Sequence, residues 1–107
     1  MFTRLVEIKA QRGKADEVVN LIQDKVLPIL RQQNGFVDEI ALVSTTQPDR
    51  VIGMSFWRTQ EDAERYHREN FPKISELLRP HIQGAPEVQN FNLHASTAHK
   101  ITAGKAA

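Results

Sequence analysis

The chain has 107 residues, a length typical of one domain with a shallow core. Its net charge of +1 is too small to attract nucleic acid or an anionic membrane. Because it contains no cysteine, disulfides, thiolate metal sites and a cysteine nucleophile are excluded. No apolar run approaches membrane-spanning length and the first residues are too charged for a signal peptide, so we predict a soluble cytoplasmic protein without nucleic-acid or membrane partners.

The chain begins with a predicted strand from Phe2 to Lys9, followed by a long helix from Lys14 to Gln33. Arg4 and Glu7 interrupt the strand on opposite faces. We interpret them as solvated charges near a strand end, and the alternative is that one of them enters a polar cavity. Within the helix, Pro28 removes the hydrogen bond to the carbonyl four residues earlier, so we expect a kink.

Two further strands form a predicted hairpin around a turn that contains Pro48 and Asp49. The first runs from Phe36 to Thr45, and alternation places Phe36, Ile40 and Leu42 on one face. The second begins at Arg50 or Val51 and is apolar on both faces up to Trp57. A strand with no polar face is typical of the middle of a sheet that is covered on both sides.

A second helix is predicted to begin directly after this strand. Thr59 is a favourable N-cap residue, and Asp62 three residues later resembles a capping box. Along this helix, four residues recur at spacings of three and four and so share one side: Ala63, Tyr66, His67 and Asn70. Any reactive pocket is expected where the end of the strand meets this side of the helix.

The helix is predicted to end near Pro72, with a short helical piece from Lys73 to Arg79. The last strand is predicted from Glu87 to His94. Patterning is lost from Ala95 onward, so we divide the chain into a domain at residues 1–94 and a floppy or partner-clasping tail at residues 95–107.

The element order β-α-β-β-α-β predicts a ferredoxin-like α+β fold, in which a four-stranded antiparallel sheet carries both helices on one face. Two helices cover only one face of such a sheet, yet the second and third strands are apolar on both faces. An uncovered apolar face of this size favours contact with a second copy. We therefore predict a homodimer whose sheets pack face to face.

Residues 2 to 94 resemble the antibiotic biosynthesis monooxygenase domain of the dimeric α/β-barrel superfamily. The resemblance is carried by the segments Gly13-Lys14, Leu27-Pro28-Ile29-Leu30-Arg31, Asn34-Gly35-Phe36, Phe56-Trp57-Arg58-Thr59-Gln60-Glu61-Asp62-Ala63, Tyr66-His67 and Asn70-Phe71. It implies a pocket between the sheet and the helices of each subunit. Some enzymes of this family oxidise phenolic or quinol substrates without metal or flavin, and others degrade haem.

Carried over by position, the resemblance implies that Trp57, Tyr66, His67 and Asn70 line the pocket. The family often has His at the place of Tyr66, whereas here the His is one residue later, about a third of a helical turn away. The haem-degrading members combine an Asn on the first strand with a Trp and a His. The corresponding places here are occupied by Val6, Tyr66 and Glu76, which disfavours haem degradation.

The chemistry expected of such a site is proton removal from a phenol in a dry pocket. We predict three catalytic residues, with His67 as the base and Tyr66 and Asn70 holding the substrate oxygen. Trp57, Phe36 and Phe71 are predicted to contact the substrate ring. The alternative is that Trp57 and Tyr66 are core aromatics and His67 is a surface residue.

Three functions follow from these alternatives. The first is a monooxygenase without metal or other cofactor that acts on a small aromatic or quinol substrate. The second is a dimeric α/β-barrel protein that binds a small ligand or haem without turnover. The third is a dimeric scaffold in which side chains fill the space between the second helix and the sheet.

Overall fold

The computed structural model describes residues 1–99, which form one sheet and four α-helices. The strands are β1 (Phe2–Lys9), β2 (Phe36–Val43), β3 (Arg50–Trp57) and β4 (Glu87–Asn92), and the helices are α1 (Ala15–Leu21), α2 (Leu27–Arg31), α3 (Gln60–Glu69) and α4 (Phe71–Leu78). A π-helical turn (Ile22–Val26) joins α1 to α2, and a 3-10 turn (Arg79–His81) follows α4. The strand order is β2-β3-β1-β4 and every pairing is antiparallel, which confirms the ferredoxin-like α+β fold.

The prolines of α2 and α4 lie where a missing N–H group is tolerated. Pro28 is in the first turn of α2 and Pro72 is in the first turn of α4. The irregularity expected at Pro28 takes the form of the π-helical turn directly before it. Because Pro72 begins a helix instead of ending one, α4 starts at Phe71 and not at Lys73 as predicted.

A β-bulge in β2 corrects the predicted strand faces. Phe36 pairs with Trp57, but the register shifts before Asp38. A bulge adds one residue to one strand and so changes which side the following residues face. The prediction that Phe36 shares a face with Ile40 and Leu42 is therefore wrong: Phe36 lies on the helix-covered face and the other two lie on the opposite face.

We call this opposite face the open sheet face. It carries three exposed large apolar side chains, Ile40, Leu42 and Phe91, with exposed fractions of 38%, 47% and 48%. The half-buried Leu5, Ile52 and Met54 belong to the same face. The apolar second face that the sequence predicts is thus present and accessible in the single chain.

The segment after β4 crosses one end of the open sheet face. Leu93 N–H donates to the carbonyl of Met1 at 2.9 Å, and the His99 ring lies 4.7 Å from the Phe56 ring. His99 Nε2 is also 3.2 Å from Asp38 Oδ2. Residues 95–99 of the predicted tail therefore contact the sheet, and residues 100–107 lie outside the described part of the chain.

The start of α3 is fixed by the predicted cap. The Asp62 N–H donates to Thr59 Oγ1 at 3.1 Å, and the Thr59 hydroxyl donates to Asp62 Oδ2 at 2.9 Å. Arg65 completes an ion pair with Asp62 at 3.0 Å. Because α3 begins only three residues after Trp57, its buried side packs over the end of β3. Tyr66 lies on this buried side.

Gly35 provides a prediction about this region. Its φ of +80° is unfavourable for other residues, and a Cβ at this position would collide with the Asp62 carboxylate. We expect Gly35→Ala to lower the free energy of unfolding by roughly 2–4 kcal/mol, from backbone strain plus the displaced cap. Urea unfolding measures this loss.

Gly13→Ala is the matched control, because Gly13 has a φ of +74° but nothing within 4 Å of a Cβ. It should lose only the backbone contribution, about 1 kcal/mol. Equal losses in the two variants would show that the contact between Gly35 and Asp62 has no energetic effect.

Candidate functional site

A row of polar side chains crosses the helix-covered face of the sheet. Glu39 on β2 pairs with Ser55 on β3, Ser55 pairs with Arg4 on β1, and Arg4 pairs with Asn90 on β4. We call these four residues the polar row. Since Phe2, Ile8, Val51 and Trp57 of this face belong to the hydrophobic core, the row places polar groups next to that core.

A small cavity lies where the polar row meets the helices. Its volume is about 40 Å³, and four of its lining residues are polar: Arg4, Glu39, Ser55 and Tyr66. The remaining lining is apolar and includes Ile22 and Val26 from the π-helical turn and Phe71, Ile74 and Leu78 from α4. This volume suits a water molecule or two, whereas a cavity of about 150 Å³ holds benzene.

Arg4 is the most deeply buried charge of the site, with 3% of its surface exposed. Its guanidinium carbon lies 5.0 Å from the centre of the Phe71 ring and 5.5 Å from that of Tyr66. Burial lowers the pKa of Arg4, but a guanidinium keeps its charge in proteins.

The expectation of a solvated charge is therefore wrong for Arg4. The helices cover the face of β1 that carries it, and it lines the cavity, as the alternative interpretation held. Glu7 lies on the opposite face, half-buried, and pairs there with Arg50 at 2.9 Å.

Glu39 is the titratable group of the cavity whose pKa lies near neutrality. Burial, with a smaller contribution from the neighbouring Asp38 charge, raises the pKa of Glu39 from 4.5 to about 8, and Arg4 opposes the rise. The carboxyl lies beside Gly53, where a Cβ would be 2.9 Å from Glu39 Oε1. Perturbed carboxyls in clefts are typical of functional sites.

Tyr66 and Phe71 are the two predicted site residues that line the cavity. Tyr66 is buried, and burial raises the pKa of its hydroxyl, which therefore stays protonated. Trp57 is fully buried behind Tyr66, with ring centres 5.0 Å apart, and its Nε1–H donates to Ser55 Oγ at 2.8 Å. Phe36 packs edge-on against Trp57 at 5.6 Å. Trp57 and Phe36 thus support the cavity wall from behind.

His67 and Asn70 lie outside the cavity lining. His67 is exposed, stacks on Phe71 at 5.1 Å, and accepts a hydrogen bond at Nδ1 from Arg4 Nη1 at 3.0 Å. Asn70 lies between α3 and α4, and its Nδ2 donates to Gln33 Oε1 at 3.1 Å. The geometry therefore gives His67 a role in orienting Arg4 and gives Asn70 a role in joining two helical segments.

An open groove of about 490 Å³ adjoins the site between α3 and β4. Arg4 lines both this groove and the small cavity. The other groove residues are Phe2, Ala63, Glu64, His67, Arg68, Val88 and Asn90. Within residues 1–99, no group of three or more His, Asp or Glu side chains is placed to hold a metal ion.

The contact between His67 and Arg4 predicts a pH dependence of stability. Burial and the Arg4 charge lower the pKa of His67 below 6.5, so the folded state holds this proton less tightly than the unfolded state. The stabilisation is therefore complete above pH 6.5 and is lost as the pH falls below it. Because His67 is exposed, we expect a loss on the order of 0.5 kcal/mol or less.

Urea unfolding at pH 7.5 and pH 5.5 measures this effect. In His67→Gln, the amide oxygen can accept the Arg4 hydrogen bond without titrating. The change in unfolding free energy from pH 7.5 to pH 5.5 should therefore be more positive in the variant than in the wild type, by about 0.5 kcal/mol or less. An equal or more negative change in the variant than in the wild type would contradict the prediction.

Comparison with known proteins identifies one family and one fold. A sequence profile described as antibiotic biosynthesis monooxygenase matches residues 1–92. No curated protein sequence matches significantly.

None of the described helices is long and apolar enough to cross a membrane.

Solved structures resemble the chain in fold at low sequence identity. SnoaB from Streptomyces nogalater, a cofactor-independent oxygenase, is 15% identical with a TM-score of 0.74, and the match covers 92% of this chain and 97% of SnoaB. The monooxygenase ActVA-Orf6 from Streptomyces coelicolor, solved with nanaomycin D, is 19% identical with a TM-score of 0.70 and coverages of 89% and 88%. A Nitrosomonas europaea protein of unknown function is 14% identical with a TM-score of 0.75 and coverages of 96% and 95%.

Proposed function

Because this chain belongs to the antibiotic biosynthesis monooxygenase family, we propose that it is a cofactor-independent oxygenase that acts on a small phenolic or quinol substrate. The observation that carries the proposal is the set of polar groups in an otherwise apolar cavity: Arg4, Glu39, Ser55 and Tyr66. A buried cation beside a carboxyl with a pKa of about 8 is a costly arrangement that favours a reactive site over a structural one. The oxygenase SnoaB and the ligand-bound ActVA-Orf6 share the fold, which supports the same proposal.

The proposed reaction begins when the Glu39 carboxylate removes the hydroxyl proton of the substrate. The resulting phenolate passes one electron to O₂, and the two radicals combine to form a C–O bond and a peroxide anion. Protonated Glu39 returns its proton to this anion and so becomes a carboxylate again. Loss of water from the peroxide then gives a quinone. One oxygen atom of O₂ enters the product and the other leaves as water, and the substrate supplies all four electrons, so no other reductant is required.

The remaining groups stabilise charge and exclude water. The positive charge of Arg4 in the cavity wall would stabilise the developing negative charge of the substrate, and the protonated Tyr66 hydroxyl can donate a hydrogen bond to the phenolate oxygen. The apolar lining from the helices keeps water from the peroxide. In this assignment Glu39 takes the role that the sequence predicts for His67, because Glu39 lines the cavity and His67 does not.

The size of the cavity sets a condition on this proposal. A volume of about 40 Å³ is too small for an aromatic ring, which needs on the order of 150 Å³. Phe71, Ile74 and Leu78 of the short helix α4 form one wall. We propose that substrate binding displaces this helix outward.

Oxygen uptake in the presence of a panel of hydroquinones and naphthols tests the function. We expect the wild type to consume one O₂ per substrate in the presence of EDTA, and Tyr66→Phe to be at least tenfold slower because one oxyanion donor is lost. Thr46→Ala, an exposed change in the hairpin between β2 and β3, is the control and should keep the wild-type rate.

Two results would contradict the proposal. The first is unchanged oxygen uptake in Tyr66→Phe. The second is no uptake by the wild type with any member of the panel. In the second case, a rise in melting temperature with the same compounds would favour the alternative of a ligand-binding protein without turnover.

We also propose that two copies assemble through the open sheet face. Its exposed Ile40, Leu42 and Phe91 support this proposal, because burying such an apolar patch against a second copy removes it from water and is favourable. A cytoplasmic location is proposed as well, and the absence of cysteine is consistent with a reducing compartment.

A further inference from the structure

Arg4 has N–H groups for which the described residues offer no acceptor. Its Nε and Nη2 atoms are fully buried and have no hydrogen-bond partner within residues 1–99. Its third nitrogen, Nη1, donates to His67 Nδ1 at 3.0 Å. Buried guanidinium groups are almost always paired, so an unused pair of nitrogens calls for an explanation.

The charge of Arg4 is also left without a counter-charge in the cavity. Glu39 is the only carboxyl among the described lining residues, and burial raises its pKa to about 8, so it is mainly protonated at neutral pH. Tyr66 is likewise neutral, since its pKa is raised. The site therefore presents a net positive charge to a ligand.

The unused nitrogens have the geometry of a carboxylate receptor. Nε and Nη2 lie along one edge of the planar guanidinium, and their parallel N–H bonds match the two oxygens of a carboxylate. Phe71 and Tyr66 pack against the guanidinium at 5.0 and 5.5 Å, and His67 holds the other nitrogen, so the group is already oriented. The 40 Å³ cavity that Arg4 lines is close to the size of the carboxylate group alone.

We infer that Arg4 binds the carboxylate of a small aromatic acid through its free Nε–Nη2 edge. The position of the aromatic ring rests on the proposed function, which places it in the space that α4 can open. The contact between the carboxylate and Arg4 does not depend on oxidation. Combined with that function, the inference gives the substrate class as a phenol that also carries a carboxylate.

Benzoate and benzamide test this inference, because they share one shape and differ in charge. Isothermal titration calorimetry should show that the wild type binds benzoate at least tenfold more tightly than benzamide. Arg4→Met should bind both compounds equally. Arg68→Gln removes a charge from the adjacent exposed groove and should keep the preference for benzoate within a factor of two.

Folding is controlled by circular dichroism and by a second substitution. Arg4→Met should fold, because it leaves no buried counter-charge unpaired: Glu39, the carboxyl of the described cavity lining, is mainly protonated at neutral pH. Arg4→Lys keeps the charge but not the paired donors, and its preference for benzoate should lie between those of the wild type and Arg4→Met.

Three results would overturn the inference. They are equal affinity of the wild type for the two compounds, no benzoate binding by the wild type at 50 mM, and loss of the preference in Arg68→Gln as large as in Arg4→Met. Oxygen uptake with uncharged hydroquinones is measured separately. Uptake without a benzoate preference rejects the carboxylate site alone, and a preference without uptake rejects the oxygenase function alone.

Discussion

Replacing Glu39 with glutamine should lower the rate of oxygen uptake about 100-fold or more, since general bases typically contribute at least that factor. A carboxyl with a pKa of about 8 is only some two units below an ordinary phenol, so it can accept a phenolic proton at a small energetic cost. An ordinary glutamate would face a difference of more than five units. The wild-type rate should rise with pH and level off above about pH 8, as the carboxylate forms.

A pH–rate profile of wild type and Glu39→Gln measures both effects. The variant should lose the inflection near pH 8 as well as the rate. Glu87→Gln is the matched control, because Glu87 is an exposed carboxyl on β4 and should leave the profile unchanged. If Glu39→Gln kept the wild-type rate and inflection, another group would have to be the base.

Glu39→Gln should raise the stability of the fold even though it lowers the rate of oxygen uptake. The folded pKa of Glu39, about 8, exceeds the ordinary value of 4.5, so the folded state binds more protons between these values. The stability associated with protonated Glu39 is complete below pH 4.5 and is lost as the pH rises through 8. Glu39→Gln should therefore be more stable than the wild type at pH 7, by at most about 3 kcal/mol.

The double substitution Ile40→Glu and Leu42→Glu should convert the proposed dimer into a monomer. In a two-fold dimer each charge appears twice in the interface, and burying unpaired carboxylates is costly. We expect the dissociation constant to rise at least 100-fold. Size-exclusion chromatography with light scattering over a range of concentrations measures this change.

Val43→Glu is the matched control for this experiment. Val43 is on the same strand and is 40% exposed, similar to Ile40 at 38%, but it pairs with Val51 on the helix-covered side. It should therefore leave the dimer intact. A dimeric double variant would mean that the open sheet face is not the interface, and a monomeric wild type would remove the dimer altogether.

The fold was predictable because each element carries its own local signal. Alternating apolar residues define the strands, helical spacing defines the helices, and Thr59 with Asp62 marks the start of α3. The errors lie where one residue changes the local geometry. The bulge next to Phe36 and the first-turn position of Pro72 both depend on packing that single-residue patterns do not encode.

The site was predictable in its aromatic part and not in its polar part. Tyr66 was indicated by helical spacing and Phe71 was predicted as a substrate contact, and both line the cavity. Arg4 and Glu39 lie on strands, where charged residues usually face water, and their burial depends on helices that pack over them from elsewhere in the chain. The side that Glu39 faces depends in addition on the bulge in β2.

His67 illustrates a further limit of position-based inference. A shift of one residue from Tyr66 turns a helical side chain by about 100°, and this rotation moves the imidazole from the cavity to the exposed side of α3. There it contacts Arg4 from outside. Its prediction as the base remains untested, and the geometry favours Glu39.

The π-helical turn at Ile22–Val26 offers a simple way for the shape of the cavity to change between related sequences. A π-helical turn holds more backbone than an α-helical turn, so removing one residue from it would restore a continuous α-helix. Such a deletion would rotate the residues before it by about 100° relative to those after it and replace Ile22 at the cavity with a neighbour. Gain or loss of a single codon here would therefore reshape the ligand space in one step, without any change to the sheet.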